Sequence, residues 1–212
     1  MRYVFATLLG VLALTSTSTA MAQGHGDVEA SAPRLLGVLP NYTTVDGNQD
    51  APEISARWMF DTTAKNTFDP AIFAFTSITA ALGQGGAHSY PARYATAFAD
   101  NAIGNFMTSA AMPSLLHQDP RYYHRGEGRV GARALYAVSR IGVTRSLTGA
   151  VQLNASELIG NFAAASMANM YYPSGRTVSA TLSRWGSQLL WDALANELKE
   201  FWPDIHQRLT HH

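Results

Sequence analysis

The stretch TVSATLSRWGSQLLWDALANELKEFW, residues 177–202, is the longest helical pattern in the chain. Leucine and tryptophan recur along one side of it at helical spacing, which is typical of a face that packs on a protein core. The other side carries a polar stripe with a spacing of four residues: Arg184, Gln188, Asp192 and Asn196. The pattern predicts an amphipathic helix with a solvated polar stripe, and Pro203 predicts its end at Trp202.

Five further helical patterns precede this one. They begin at Pro52, at Ala71 behind Asp69-Pro70, at Ser89, at Val130 and at Asn154. Each start has an N-capping residue or a first-turn proline, and Asp50 or Ala51 is the expected cap of the first helix. The predicted helices run over residues 71–82, 89–116 and 130–144, and from 154 to just before Pro173.

The segments between these helices carry turn signals. Residues 118–128 are predicted to be a loop, and residues 145–153 a turn or a small hairpin about Gly149. The sequence therefore predicts an all-α fold, a single bundle of about six helices over residues 51–209. Residues 23–50 are predicted to form a linker or an extended segment.

Residues 1–22 have the features of a secretory signal peptide. Arg2 gives a positive start, residues 3–14 are apolar, and Ala20-Met21-Ala22 offers the small residues that signal peptidase needs. An uncleaved membrane anchor is the weaker alternative, because the apolar run is too short to span a bilayer. We expect cleavage after Ala22 and an exported protein.

Composition limits the function classes. The chain has 212 residues, no cysteine and a formal net charge of zero. After removal of the signal peptide, about 190 residues remain, enough for one domain with a sizeable core. A neutral chain is not typical of a nucleic-acid-binding protein. Without cysteine, the exported protein depends on packing rather than on disulfides.

Small residues form a strip on the helix that starts at Asn154. They recur every four residues: Ser156, Gly160, Ala164 and Ala168. Such a strip lets a neighbouring backbone approach closely, either in a soluble bundle or inside a membrane. An integral membrane bundle is the alternative fold, although polar residues interrupt the uncharged stretch and a spanning helix needs about 20 apolar residues.

Two acidic residues lie in apolar surroundings. Glu157 follows Asn154 by three residues, which is the pattern of a capping box and predicts a structural role rather than general acid/base chemistry. Asp100 lies within a predicted helix among alanine and phenylalanine. Because an unpaired buried carboxylate is unfavourable, we expect an ion pair or a hydrogen bond, with Arg93 as a candidate partner.

A cluster of arginines is the candidate binding site. An anionic ligand is predicted to contact Arg121, Arg125, Arg129, Arg133, Tyr136 and Arg140. Arginine binds phosphate and carboxylate in two-pronged fashion, and tyrosine suits a membrane interface. The partner would be an anionic membrane surface or an acidic glycan. The alternative is internal pairing of the arginines with acidic residues near the C-terminus: Asp192, Glu197, Glu200 and Asp204.

No catalytic signature, metal-binding spacing or cofactor motif is recognisable, so no catalytic residue, metal or cofactor is predicted. His117, Asp119 and His124 share one loop, but their spacing fits no established metal site. A hydrolase built on His117, Asp119 and Glu157 is the second alternative to a binding protein. These three residues could meet only through tertiary folding.

Several short segments resemble an uncharacterised family of exported bacterial proteins. They are LGVLPNY (36–42), SLLHQDPRYY (114–123), AVSR (137–140) and KEFWPDI (199–205). Some members of that family carry a carboxypeptidase-regulatory-like β domain ahead of this region, and such a domain is not found in this chain. The resemblance implies an exported helical domain and no particular activity. We therefore expect a non-enzymatic structural or binding protein in the periplasm or at the outer-membrane surface.

Overall fold

The structure is a computed structural model that describes residues 34–47, 52–82, 89–172 and 176–210. Most of these residues are helical: α1 (Ala56–Thr67), α2 (Pro70–Ala81), α3 (Tyr90–Phe106), α4 (Met112–Leu116), α5 (Val130–Ser139), α6 (Ala155–Ala168) and α7 (Val178–Thr210). A π turn, Met107–Ala111, joins α3 to α4, so residues 90–116 form one bent helix. Counted in this way, the described residues contain six helices, as predicted. The predicted signal peptide lies outside the described residues.

Short strands make the all-α prediction wrong in part, and residues 118–128 are not simply a loop. The strands are β1 (Thr44–Asp46), β2 (Gln118–Asp119), β3 (Tyr122–His124), β4 (Val143–Ser146) and β5 (Val151–Leu153). β1 pairs in parallel with β3, and β2, β4 and β5 form an antiparallel sheet. Strands of two to four residues are too short to show an alternating pattern in the sequence. The hairpin about Gly149 is confirmed, and Gly149 takes a positive φ of 87° in its turn.

Most helix starts agree with the sequence. The carboxylate of Asp69 accepts a hydrogen bond from Ala71 N at 2.9 Å, and Asn154 Oδ1 accepts one from Glu157 N at 3.2 Å. The first helix differs, because it starts at Ala56 behind Ser55 rather than at Pro52. Ser55 Oγ accepts from Trp58 N at 3.1 Å and is the better N-cap of the region.

Helix α7 continues through Pro203, so the predicted end at Trp202 is wrong. A proline inside a helix has no N–H to donate and disturbs the carbonyls of the preceding turn. In that turn the carbonyl oxygen of Glu200 accepts from Arg133 Nη2 at 2.6 Å and is 3.0 Å from His124 Nε2. The missing N–H of Pro203 would have bonded the carbonyl of Lys199. Arg133 and His124 hold the next carbonyl, that of Glu200, and the helix extends to Thr210.

The small-residue strip packs α6 tightly against the π turn. Ser156, Gly160, Ala164 and Ala168 are all buried, as the strip predicted. A Cβ placed on Gly160 would lie 3.1 Å from the backbone carbonyl group of Met107. This contact explains why glycine is needed at the centre of the strip, and it fixes the position of α6 beside the bent helix.

Polar side chains fill much of the interior, and large apolar side chains lie outside. In the part of the chain that the structure describes, Leu35 is the one buried residue among the leucines, isoleucines, valines and phenylalanines. Buried polar residues include Thr62, Thr67, Thr76, Asn161 and Glu200, whereas exposed apolar residues include Phe73, Ile78, Leu135, Val138, Ile159, Phe162, Leu190 and Leu194. This distribution is the reverse of the usual one in soluble proteins. No helix within the described ranges combines the length and the apolar character that crossing a bilayer requires.

The polar stripe of α7 faces inward, so its predicted solvation is wrong. Asp192 Oδ2 accepts a hydrogen bond from Asn161 Nδ2 of α6 at 2.9 Å. Arg184 Nη1 donates to Asn169 Oδ1 at 2.6 Å. On the opposite side Leu190 is 62% exposed. The helix is amphipathic, but its polar side is the one that packs on the protein.

Candidate functional site

Two of the six predicted ligand-binding residues are buried in ion pairs. The guanidinium of Arg121 binds the carboxylate of Asp119, with Nη2 and Oδ2 2.7 Å apart. Tyr123 OH donates to the same carboxylate at 2.6 Å. Arg133 Nε lies 2.9 Å from Glu200 Oε1. The internal pairing with the C-terminal acidic residues that the sequence left open is therefore present for Arg133, whereas Arg121 pairs with Asp119 of its own segment.

Glu200, which is itself fully buried, is the centre of a hydrogen-bond network. Its Oε2 accepts from Tyr122 OH at 2.8 Å and from Arg125 N at 3.0 Å, and its Oε1 accepts from Gly126 N at 3.1 Å. Burial alone would raise the pKa of Glu200, but these donors and Arg133 outweigh it and lower the pKa below its usual range. The network ties the loop after β3 and the start of α5 to helix α7.

The other four predicted residues remain near the surface. Arg125 and Arg129 are exposed, and Arg140 is partly buried. The guanidinium carbons of Arg125 and Arg140 lie 5.8 and 4.5 Å from the ring centre of Tyr136. Arg133 points inward to Glu200 and Asp204, so it does not share a surface with Arg129 and Arg140. A smaller surface remains, which we call the arginine surface: Arg125, Arg129, Tyr136 and Arg140.

A polar cavity of about 300 Å³ lies between the bent helix, α6, α7 and the β2–β4 sheet. Its charged lining residues are Asp119, Arg121, Arg140, Arg145, Glu157, Asp192 and Lys199. Thr108 and Ser109 of the π turn also line it. A π turn inside an α-helix is frequently found at a functional site. A pocket of this size with converging polar groups is the natural place for a small ligand.

Glu157 is not a capping-box residue in the predicted sense. Its Oε1 accepts from Asn161 Nδ2 at 3.0 Å, and the same amide group donates to Asp192. Burial and the nearby charge of Asp192 raise the pKa of Glu157 well above its usual range. Both causes favour the protonated form of Glu157, and the amide of Asn161 bridges the two carboxyl groups.

Lys199 completes this cluster. Burial lowers the pKa of Lys199, although the charges of Asp192 and Glu157 oppose that change. Perturbed acid and base groups in a cavity are a feature of functional sites. The sequence pattern gave no sign of these charged neighbours of Glu157, because both of them come from α7.

The residues of the hydrolase alternative are only partly brought together. Asp119 and Glu157 line the same cavity, but His117 is exposed at the end of α4 and does not line it. Across the residues that the structure places, no group of three His, Asp or Glu side chains could hold a metal ion. Asp100 instead has the expected hydrogen bonds, from Tyr171 and Tyr172 at 2.5 and 2.6 Å rather than from Arg93.

Comparison with known proteins gives no relative. No protein-family model, curated protein or solved structure was found to match the chain. The candidate site therefore rests on its own geometry.

Proposed function

We propose that the protein is an exported, membrane-associated binding domain whose outer helical faces contact the lipid of one leaflet. The predicted signal peptide supports export, and the periplasm or the outer-membrane surface is the proposed location. One observation carries the proposal: apolar side chains point outward from the helices while polar side chains fill the interior. Extended apolar surface on a protein marks contact with a partner or with a membrane.

The apolar surface is spread over many helices. Large exposed apolar residues occur on α1, α2, α4, α5, α6 and α7, and they include Leu135 at 75% exposure. One interface between two proteins covers about 800 Å² on each partner, on one side of the molecule. A lipid layer can contact several sides of an embedded protein at once, and polar groups of such a protein face its interior. The spread of the apolar residues therefore favours lipid.

The arginine surface gives this contact a charge preference. Arg125 and Arg129 are exposed close to the apolar outer face of α5, where Val130 and Val138 are also exposed. Each arginine near an anionic membrane surface contributes about 1 kcal/mol, and the attraction is screened beyond about 8 Å at physiological salt. We therefore propose that the membrane carries anionic headgroups, with the arginine surface at the headgroup level and the apolar face of α5 below it.

Vesicle flotation tests this proposal. The mature protein should float with vesicles that contain phosphatidylglycerol, and less with pure phosphatidylcholine vesicles. Arg129→Gln should reduce the affinity for anionic vesicles about fivefold, which corresponds to the loss of about 1 kcal/mol. Arg57→Gln is the matched control, because Arg57 is an equally exposed cation on α1 outside the arginine surface. Added salt should weaken binding to anionic vesicles steeply.

A second pair of variants tests the apolar contact. Leu135→Gln should weaken flotation with both kinds of vesicle, whereas Leu153→Gln, at a similarly exposed leucine in the hairpin, should not. A wild-type protein that ignores both vesicles would refute the proposal. A dimer in sedimentation that Leu135→Gln dissociates would show that a second copy, and not lipid, covers the apolar faces.

A further inference from the structure

The polar cavity contains more cationic than anionic groups. Its lining includes four basic side chains and three carboxyl groups. Arg121 is neutralised by Asp119, and burial together with the charge of Asp192 favours the protonated form of Glu157. The lining therefore has an excess of two positive charges, or of one if Glu157 ionises.

Two of the basic groups form no direct ion pair, although the charges of Asp192 and Glu157 act on Lys199. Within the described part of the chain, the side chains of Arg145 and Lys199 make no hydrogen bond and no ion pair. The guanidinium of Arg145 stacks 4.0 Å from the ring centre of Tyr123, and Lys199 Nζ lies 5.9 Å from the ring of Tyr122. Arg140 Nη2 donates to Ser139 Oγ at 3.0 Å but pairs with no carboxylate of these residues.

Uncompensated positive charge away from bulk water is costly, so an anion that enters the cavity is favoured. Arginine and lysine together suit a phosphate group, because the guanidinium offers paired donors and the ammonium a compact charge. An excess of one to two positive charges matches the charge of a phosphate monoester near neutral pH.

The uncharged lining is partly apolar, with Leu39, Phe75 and Leu198 among its residues, and its polar part indicates what the phosphate is attached to. Amide and hydroxyl side chains line the cavity beside the charged ones: Asn101, Asn105, Thr108, Ser109 and Asn196. Such groups exchange hydrogen bonds with alcohol groups, and the protonated Glu157 can donate as well. A volume of about 300 Å³ accommodates a molecule of the size of one sugar ring.

We propose that this cavity binds a small phosphate monoester of a hydroxyl-rich molecule, with Arg140, Arg145 and Lys199 contacting the phosphate. Free sugar phosphates and phosphate-bearing lipid headgroups share this chemistry. The cavity shares Arg140 with the arginine surface, but Arg145 and Lys199 lie outside that surface, so the site can be tested through them on the protein in solution without membranes.

Isothermal titration calorimetry of the mature protein with glucose 6-phosphate and with glycerol 3-phosphate is the direct test. We expect binding of at least one ester, tighter than that of inorganic phosphate, and none of glucose. Arg145→Gln should weaken ester binding about tenfold to a hundredfold, because a charge-assisted contact is lost. Arg57→Gln is the matched control and should bind like the wild type.

Further measurements keep the test decisive. Lys199→Met provides a second variant if Arg145→Gln is unfolded by circular dichroism, and it should weaken binding to a similar degree. Displacement of the protein from phosphatidate vesicles by glycerol 3-phosphate would identify a headgroup as the source. Binding without displacement would identify a free ester, and both results support the site.

Three results would overturn the inference. The first is no binding of either ester by the wild-type protein at millimolar concentration. The second is binding that neither Arg145→Gln nor Lys199→Met weakens. The third is binding of glucuronate as tight as that of glucose 6-phosphate, which would show that a carboxylate and not a phosphate is recognised.

Discussion

Replacing Glu200 by glutamine should destabilise the fold more than any surface substitution. In the native protein Oε2 of Glu200 accepts from Tyr122 OH and Arg125 N, and Oε1 accepts from Gly126 N and Arg133 Nε. Glutamine has one oxygen and one NH2 group at these positions. Whichever way the amide is turned, its NH2 group faces two donors and leaves both without an acceptor.

The magnitude follows from burial. Glu200 has no exposed surface, and Arg133 is buried with it. Removing one partner of a buried ion pair costs about 3–5 kcal/mol, because the other charge stays buried without compensation. Asp204 remains 2.5 Å from Arg133 Nη1 and keeps part of that compensation. We therefore expect a loss near the lower end of this range.

The same network predicts an acid-labile protein. The folded-state pKa of Glu200 is below its unfolded value, so its contribution to stability is complete above the unfolded value of about 4.3. The contribution is lost as the pH falls from there through the folded pKa. In Glu200→Gln this part of the pH dependence should be absent.

Urea denaturation of the wild type and the variants, followed by circular dichroism between pH 3 and pH 7, measures both effects. Glu197→Gln is the matched control, because Glu197 lies one turn earlier on α7 and makes no hydrogen bond or ion pair with a residue that the structure describes. It should change the free energy of unfolding by less than about 0.5 kcal/mol. A Glu200→Gln variant as stable as Glu197→Gln would refute the network.

The remaining predictions concern packing and two further buried groups. Gly160→Leu should lower the free energy of unfolding by about 1–3 kcal/mol or more, and the melting temperature with it, because its side chain meets the π turn. Gly186→Ala has open space around it and should be neutral or stabilising. Asp100→Asn should cost about 1–3 kcal/mol in urea denaturation, because one amide oxygen cannot accept from both bonded tyrosines. Burial and the hydrogen bond to Asp119 raise the pKa of Tyr123 to about 12. Its contribution to stability should therefore be complete below the unfolded-state pKa of about 10, and it should be lost as the pH rises towards 12. Tyr123→Phe should reduce that alkaline loss.

Helix positions were predictable because their signals are local. Asp69-Pro70 and Asn154 act through bonds to residues two or three positions away, and the structure has both caps. The strands depend on distant partners: Thr44 of β1 pairs with Tyr122 of β3. A strand of three residues has no period to detect, and its partner lies far away in the sequence. The prediction of an all-α fold was wrong for that reason.

The candidate site was only partly predictable for the same reason. The arginine-rich segment attracted notice because its charges are adjacent in the sequence. The cavity cluster joins Glu157 of α6 to Asp192 and Lys199 of α7, which are distant along the chain. The sequence did contain one signal of this cluster. Asp192 and Lys199 are seven residues apart, so they lie on the same face of α7.

The orientation of α7 shows why an amphipathic pattern alone does not identify the buried face. Helical spacing separates Leu190 and Leu194 from Asp192 and Asn196 in either orientation, and the usual assumption places the leucines inside. Here the neighbouring helix α6 presents Asn161 and Glu157, which bond only to a polar face. Because Asp192 satisfies Asn161, turning α7 around would leave Asn161 and Glu157 of α6 against leucine without this partner. The leucines therefore face outward. The pairing of polar groups between α6 and α7 explains both why the polar side of α7 is buried and why apolar side chains form the surface for the proposed lipid contact.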